Sequence, residues 1–428
     1  MTAPAVLSEA ASVLCLVSIM VTPCAAAGLA LINAGLGRSR NAAHAMLSAL
    51  CVLGVAAVAY CAIGFSLQGY PGREAHALLV GGKPWDWMAS EPLFFRGVSF
   101  DMSPASLAAL FGMFAAGLAA MIPLGSGADR WRLGAACASA ALLSGVGYPL
   151  FAHWVWGGGW LAQLGVNYGL GGGFLDAGGS ATIQAVGGLA ALSIAWILGP
   201  RRGKYNNENM PVAIPGHNAV LVLFGCLLAW IGWTGLNSAG AALFAGPPWR
   251  APLVVVDTTL AAVCASLAAA AITRVRFGKP DASLCANGWV AGLVASSAAC
   301  ASVRPALAML IGLVAGALVV FSVEWLEFRL TVDDPGGAVS VHALGGIWGI
   351  LAAGLFSAAP GQWLAQFTGI ATLLGFVLPL VYALNRLLDR VYPQRVPPQG
   401  ERQGLDLHEL GAGAYPEFMS HNDDLWQR

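Results

Sequence analysis

Charged residues are scarce in this chain of 428 residues. Asp, Glu, Lys and Arg together make up only 10% of it, whereas 57% of the residues are hydrophobic. About a quarter of the residues in an ordinary soluble domain are charged. The composition therefore excludes a typical water-soluble protein, and the net charge of zero gives no indication of a nucleic-acid partner.

The nine cysteines lack the clustering that marks a metal site or a disulfide framework. They lie singly in or beside apolar runs, and none belongs to a Cys-x-x-Cys pair. We therefore expect no metal and no cofactor. The apolar runs also contain no nucleophile–base pair, so an enzyme is the least favoured class of protein.

Positive charge is missing from the beginning of the chain, where the first Lys or Arg is Arg38. The apolar stretch before the small residues that end at Ala27 could be a secretory signal peptide. Such a signal starts with a positively charged region, however. We expect an uncleaved first transmembrane helix instead.

What the chain does contain is a series of apolar runs, each long enough to cross a hydrocarbon layer of about 30 Å as a helix. Eleven of them lie at residues 10–34, 43–67, 104–124, 133–155, 180–198, 217–241, 252–273, 285–302, 305–323, 337–357 and 364–386. We predict an all-α polytopic membrane protein whose eleven helices are embedded in a lipid bilayer.

Lys and Arg are divided unevenly between the two sides of the membrane that the eleven helices would cross. With the C terminus in the cytoplasm, 16 of the 21 positive residues lie on the cytoplasmic side and 5 on the other. Cytoplasmic loops carry such an excess. We predict a plasma-membrane protein with its N terminus outside. Residues 1–390 would form the transmembrane domain and residues 391–428, which are more polar, a cytoplasmic tail.

Two stretches of fourteen residues match each other, one starting at Asp176 and the other at Asp334. Six positions are identical: the Asp, two Gly pairs, and the Ala that follows Gln184 in one copy and His342 in the other. The copies open the fifth and tenth segments. Segments 1–5 and 6–10 are therefore predicted to be repeats, and an odd number of crossings inserts them with opposite orientation. Inverted repeats place a site near the middle of the bilayer.

The two copies carry polar residues in the same register. Asp176 and Asp334 precede their helices, where a carboxylate accepts from free backbone N–H groups, so we interpret both first as structural caps. Gln184 and His342 follow eight residues later, about 12 Å into each helix. Unpaired polar groups are costly in lipid. A satisfied core histidine is the alternative, but the repeat favours a pore pair within hydrogen-bonding reach or bridged by one water.

Further motifs follow one another from Gly28 to Tyr415. They are Gly28–Gly35 with Arg40 and Asn41, Val155–Gly159, Asp176–Gly188, Gly199–Gly203, Ile231–Asn237, Asp333–Pro335, Val341–Gly345, Gly404–Asp406, and Ala414 with Tyr415. On these residues the sequence resembles the ammonium transporter family (Amt/Mep/Rh). The resemblance implies a homotrimer with one pore per subunit, a substrate of ammonium or ammonia, and a tail that braces a neighbouring subunit. It also implies a cytoplasmic face on which P-II-type signalling proteins can dock.

The resemblance places the substrate-binding region of the pore at Trp156, Asp176, Phe114, Leu236 and Asn237. Trp156 matches the family's vestibule tryptophan. One gate phenylalanine of the family falls on Leu236. The other falls on Ala115, unless a shift of one residue recruits Phe114.

Two further positions depart from the family pattern. The first of the paired pore histidines falls on Gln184, while His342 keeps the second, and the vestibule serine falls on Gly240. Selection for ammonium should be weaker than in the family, because gate rings are lost. Cation–π attraction in a desolvated site is worth about 2 kcal/mol.

Transport of ammonium or ammonia is the function that these observations favour. A weakly conducting ammonium sensor and a channel for another small polar solute are the alternatives. Because an amide does not titrate near neutral pH, only His342 of the pair can carry a proton. We therefore hypothesise flux that is mainly electroneutral.

Overall fold

The protein is described here by a computed structural model that covers residues 7–245 and 250–416. Eleven apolar helices run through these ranges: α1 Glu9–Leu36, α2 Ser39–Gln68, α3 Pro104–Gly127, α4 Leu133–Val155, α5 Ser180–Leu198, α6 Ala219–Phe244, α7 Ala251–Phe277, α8 Ala282–Ser296, α9 Pro305–Leu330, α10 Val339–Leu355 and α11 Gln362–Val391. In the described part of the chain, nine of them are long and apolar enough to span a membrane, and α8 and α10 are shorter. Each coincides with a predicted segment, so the predicted helical membrane fold is confirmed.

Helix α8 ends at Ser296, earlier than the predicted residue 302. The cause is Ser180, whose hydroxyl donates to the carbonyl of Val294 and accepts from the N–H of Ala298, both at 2.7 Å. Backbone N–H groups of Ala177 and Gly178 also bond to carbonyls beyond the helix end. Groups at the start of α5 and just before it therefore form hydrogen bonds with the backbone at the end of α8, in place of further turns of the helix.

A β-hairpin between α2 and α3 is an element that the predicted all-α fold did not include. Strand β1 (Ala75–Val80) pairs antiparallel with β2 (Lys83–Ala89). The loop is Gly81-Gly82, and both residues have positive φ (58° and 77°), as a tight hairpin turn requires. The hairpin covers the loop that follows α4. We call this side of the molecule the hairpin face.

Helices α5 and α10 meet through reciprocal contacts of the two repeats. A Cβ added to Gly188 of α5 would lie 2.2 Å from the backbone nitrogen of Ala343 in α10. A Cβ on Gly346 of α10 would lie 2.5 Å from the carbonyl oxygen of Ser180 and 3.1 Å from the nitrogen of Ala185 in α5. Ala343 is the repeat equivalent of Ala185, and Gly346 of Gly188. The second Gly of each pair therefore lets the helices approach closely.

The C-terminal tail lies against the opposite side, which we call the tail face. Asp406 accepts from the backbone N–H groups of His44 (2.7 Å) and Ala43 (3.2 Å) near the start of α2. Glu409 accepts from Leu133 at the start of α4 (2.9 Å), and its carboxylate lies 2.8 Å from Nε2 of His44. Two tail carboxylates thus satisfy helix-start N–H groups, where negative charge is favoured. The predicted tail, 391–428, is described as far as residue 416, and its last twelve residues lie outside the described ranges.

A buried ionic cluster joins the loops of the tail face. Arg201, after α5, donates through Nε and Nη2 to the two carboxylate oxygens of Asp333, at 2.9 and 3.0 Å, and contacts Asp129 at 3.1 Å. Arg130 donates to the carbonyl of Asp333 at 2.8 Å. Burial alone would raise the pKa of Asp333, but the guanidinium groups of Arg130 and Arg201 lower it to about 2. The cluster connects the ends of α3 and α5 with the start of α10.

Candidate pore

Gln184 and His342 are in direct contact at the centre of the bundle. Nδ1 of His342 lies 2.8 Å from Oε1 of Gln184. Gln184 is fully buried and His342 is 4% exposed. Because a carboxamide oxygen can only accept, Nδ1 of His342 carries the hydrogen. The contact that the repeat predicts is present in the structure.

Both residues of the pair lie in a π-helical turn. One such turn, Ser180–Ala185, opens α5, and the other, Val339–Leu344, opens α10. A π-turn widens the backbone by one residue and is frequently found at functional sites. The two repeats thus share a local distortion where the polar side chains project.

The two Asp residues that precede these turns act as caps. Oδ2 of Asp176 accepts from the N–H groups of Ala181 (3.0 Å) and Thr182 (2.8 Å) and from the Thr182 hydroxyl (2.8 Å). Asp334 accepts from Ala338 at 3.0 Å and from Val339 at 2.7 Å. Each carboxylate therefore satisfies N–H groups at a helix start, as the sequence predicts for a structural cap.

The ring of His342 is also held from the side. The indole of Trp233 lies 6.4 Å from it, centroid to centroid, with 27° between the planes. Trp233 is fully buried, and its Nε1 donates to the hydroxyl of Ser297 at 3.2 Å. Trp233 therefore restricts the orientation of the His342 imidazole. Trp233 lies within the Ile231–Asn237 motif but is not among the predicted pore residues.

Trp156 lies on the hairpin side of the pair, within an aromatic cluster. Its indole stacks on Phe244 (4.7 Å, 5°) and meets Phe111 edge to face (5.5 Å, 66°). Nε1 of Trp156 donates to the carbonyl of Asp176 at 2.7 Å. Trp156 and Asp176 are thus brought together, and their role in a vestibule stays a prediction.

The other residues of the predicted binding region make different contacts. Phe114 is partly buried, and among the described residues the ring that meets Trp156 from α3 is Phe111. Leu236 is fully buried, and Asn237 donates to the hydroxyl of Thr258 at 2.9 Å. Their roles in substrate binding stay predictions.

Gly240 takes the position at which the resemblance implies a serine. A Cβ added there would lie 2.3 Å from the carbonyl oxygen of Ala177. Backbone in that position leaves no space for a hydroxyl-bearing side chain. The lost serine is therefore accompanied by close packing of α6 against the segment before α5.

Sequence reasoning missed Phe111 and Phe244. A signal for each was available, since Phe111 precedes Phe114 by three residues and Phe244 follows Asn237 by seven. Residues at these separations share a helix face. The helical period could have added both rings to the list of candidates.

A small cavity lies beside His342 on the side of the tail face. Asn33 of α1, Asn287 of α8 and Gly336 also line it. A Cβ on Gly336 would lie 2.8 Å from Oδ1 of Asn33, so this amide fits closely against the backbone. The His342 ring therefore has a partly polar space on its tail side.

A second cavity shares Asn33 with the first. It is lined further by Asn41, His44, Asp129 and the tail residue Leu405. The N–H of Leu405 donates to Oδ1 of Asn41 at 2.7 Å. The tail thus closes part of this second cavity.

Comparison with known proteins identifies the family. The model of the Ammonium Transporter Family matches residues 12–415. The "Ammonium transporter Amt2" of Archaeoglobus fulgidus is 36% identical over 421 residues, which cover 93% of this chain and 86% of that protein. This chain belongs to the ammonium transporter family. The "Ammonium transporter" of Bacillus subtilis, another relative, is 29% identical over 92% of this chain and 95% of its own length.

Solved structures of family members share the fold of this transporter homologue. One described as "Sensor Amt Protein" superposes with a TM-score of 0.84 at 25% identity, and covers 93% of this chain and 98% of its own. Mep2 of Candida albicans superposes with a TM-score of 0.80 at 22% identity, over 97% of this chain and 92% of its own. The architecture that carries the Gln184–His342 pair is therefore the architecture of this family.

Proposed function

We propose that this family member conducts ammonia across the membrane, drawing it from ammonium at the hairpin face. The observation that carries the proposal is the buried contact of 2.8 Å between Gln184 and His342 at the centre of the inverted repeat. Relatives described as ammonium transporters align with more than nine-tenths of the chain. A conduit, and not a catalyst, fits these observations.

The free groups of the pair favour the neutral species. Oε1 of Gln184 accepts from His342, whereas Nε2 of Gln184 has no hydrogen-bond partner within the described ranges. An N–H donor can bond to the lone pair of ammonia. Ammonium has only donors, so the same group repels it. The free amide N–H of Gln184 therefore favours ammonia over ammonium at the centre of the pore.

The remaining features supply a path. Trp156, Phe111 and Phe244 offer aromatic faces on the hairpin side, where a cation can be held by cation–π attraction. Beyond His342, the two cavities that share Asn33 lead toward the tail. A solute that passes the pair would leave beside the Asn33 amide.

A flux assay on purified protein tests the proposal. In proteoliposomes that contain a pH-sensitive dye, an ammonium chloride jump should make the lumen alkaline faster than in protein-free vesicles, with little accompanying current. His342→Ala should alter this rate. Replacing the exposed hairpin residue His76 by Ala is the matched control and should leave the rate unchanged. A wild-type rate equal to that of protein-free vesicles would contradict conduction.

A weakly conducting ammonium sensor is the second candidate. It is favoured by the structural similarity to a protein described as a sensor and by the single titratable residue of the pore pair. Binding of ammonium without flux would support it. An ammonium-dependent rise in the thermal unfolding midpoint, combined with no dye response, is the result that separates the two functions.

Assembly and placement follow from family membership as parts of the same proposal. Residues 1–390 would form the transmembrane domain of a homotrimer in the plasma membrane, with the N terminus outside. Residues 391–428 would lie in the cytoplasm, where a P-II-type signalling protein could dock beside the tail. Cross-linking in native membranes tests the trimer, and a pull-down with a P-II-type protein tests the docking.

A further inference from the structure

Two free cysteines from different helices lie side by side in the membrane bundle. Cys51 belongs to α2 and Cys137 to α4, and their thiol groups are within hydrogen-bonding range of each other. Both side chains are half-buried. The fold thus brings together two thiols that lie far apart in the sequence.

The spacing of α2 and α4 near this pair suits a disulfide. Eight residues further along each helix, a Cβ added to Gly145 would lie 3.9 Å from the Cβ of Ala59. The Cβ atoms that flank a disulfide are about 3.5–4.5 Å apart. The two backbones therefore run close enough together for the sulfur atoms of Cys51 and Cys137 to bond.

The cysteine pair lies at the outer surface of the bundle. Leu47, one turn before Cys51, is 36% exposed, and the adjacent Leu50 is 67% exposed. A Cβ added to Gly54, one turn after Cys51, would meet no other described atom within 4 Å. Residues three and four positions apart share a helix face. The face of α2 that carries Cys51 is therefore apolar and open, as expected of a surface that is turned toward lipid.

The tail bridges the starts of the same two helices. The carboxylate of Glu409 lies 2.8 Å from Nε2 of His44 in α2 and accepts from the N–H of Leu133 in α4 at 2.9 Å. Cys51 follows His44 by seven residues, about 10 Å along α2. Cys137 follows Leu133 by four residues, about 6 Å along α4. A covalent bond between the two cysteines would therefore fix the relative positions of the helix starts that Glu409 bridges.

We propose that Cys51 and Cys137 are a reversible oxidation site, at which a disulfide between α2 and α4 secures the surface that binds the tail. A lipid-soluble quinone is the class of oxidant that reaches thiols at a lipid-facing surface. Two S–H bonds break and one S–S bond forms, while the quinone takes up the two electrons and two protons and becomes a hydroquinone. Small thiols reverse the reaction by thiol–disulfide exchange. Transient disulfides of this kind serve as redox sensors in compartments that otherwise keep thiols reduced.

Oxidation of the purified full-length protein in lipid nanodiscs measures the site. After treatment with decylubiquinone, free thiols are blocked with N-ethylmaleimide, and disulfides are then reduced and labelled with an isotopically heavy maleimide. Mass spectrometry should show Cys51 and Cys137 oxidised to equal extents, and dithiothreitol should return both to thiols. Oxidised glutathione, which stays in water, should act at least tenfold more slowly. An equal rate with both oxidants would overturn access from the lipid.

Single substitutions separate this pair from the other cysteines. Cys51→Ser should lower the oxidation of Cys137 at least tenfold, and Cys137→Ser should do the same for Cys51. Cys61→Ser, also at a half-buried cysteine of α2, is the matched control and should leave the pair oxidised. Absence of oxidation at both positions in the wild type would overturn the site, as would undiminished oxidation of Cys137 in Cys51→Ser.

Trypsin cleavage tests the effect on the tail. Cleavage at the exposed Arg402 should be slower in the oxidised wild type than in the reduced protein, because linked helix starts keep both contacts of Glu409 in place. Cys51→Ser should be cleaved at the same rate after either treatment. Equal or faster cleavage of the oxidised wild type would overturn the proposed effect on the tail.

Discussion

The indole of Trp156 stacks on the ring of Phe244, with 4.7 Å between the ring centroids and 5° between the ring planes. Phe244 is near the end of α6 and Trp156 follows α4, so the stack joins two helices from different repeats. Phe111 meets the same indole by its edge. The aromatic surface on the hairpin side of the pore pair is therefore built from α3, α4 and α6.

We expect Phe111→Leu and Phe244→Leu to weaken the apparent affinity for ammonium. Each ring contributes about 0.5–2 kcal/mol of cation–π attraction, which corresponds to roughly a two- to thirtyfold loss. Concentration-dependent flux in proteoliposomes measures the change. Phe114→Leu is the matched control from the same helix, and a loss for Phe114→Leu alone would restore Phe114 to the vestibule.

Gln184→His should raise the current evoked by ammonium. The substitution gives the pore two titratable groups, and a proton can then be relayed where the amide blocks it. Currents recorded on supported membranes, together with the dye response of the same vesicles, measure the ratio of charge to ammonia. Gln184→Asn keeps an amide and is the control. A large saturable current in the wild type that Gln184→His leaves unchanged would show that Gln184 does not limit proton passage.

The sequence predicts the helices and the central pair well, for separate physical reasons. Apolar runs determine where helices can exist in lipid, and the repeat places Gln184 and His342 at equivalent depth. The β-hairpin was missed, although Gly81-Gly82 between two short runs is a hairpin signal; Pro84 weakens the strand pattern.

Contacts between distant parts of the chain could not be predicted. Asp406 and Glu409 reach helix starts more than 270 residues away, and no local pattern encodes such a partner. Helical period alone could have indicated Phe111 and Phe244, but not that both rings contact Trp156.

Asp406→Ala should destabilise the tail and the start of α2. The carboxylate accepts from the N–H groups of Ala43 and His44, and the loss of a helix cap costs about 0.5–2 kcal/mol. Trypsin should then cleave faster at the exposed Arg402. Glu324→Ala, at a half-exposed ion pair with Arg276 away from the tail, is the control. Unchanged cleavage in Asp406→Ala would show that other contacts suffice to hold the tail.

Asp333→Asn should lower the thermal unfolding midpoint at neutral pH. Breaking a buried ion pair costs about 3–5 kcal/mol, because charges on Arg130 and Arg201 lose their partner. The pKa of Asp333, about 2, lies below the value of about 3.9 in an unfolded chain. Its stabilising contribution is therefore complete above the unfolded value and is lost as the pH falls toward 2.

The pH dependence of the Asp333→Asn effect is a more specific test of the low pKa of Asp333. The difference in midpoint between wild type and Asp333→Asn should stay constant from about pH 8 to pH 5, since Asp333 is charged throughout this range. Glu324→Gln, at the half-exposed ion pair with Arg276, should show a small difference, because such surface pairs contribute little. A difference that shrinks between pH 8 and pH 5 would contradict the low pKa.

Leu79→Cys and Arg402→Cys test the orientation in a background without the nine native cysteines. Leu79 is 80% exposed in the hairpin, and Arg402 is exposed in the tail. An impermeant maleimide should label the first in intact cells and the second only after the membrane is opened. Labelling of Arg402→Cys in intact cells would reverse the proposed topology.

The reciprocal contact of α5 and α10 also limits how such a chain can change through evolution. A side chain gained at Gly188 would collide with the backbone of Ala343, in the other repeat, and one gained at Gly346 would collide with Ser180. Each repeat therefore restrains the other at these two positions. Gln184 and His342, four residues before the two glycines, meet on this shared scaffold with two different chemistries.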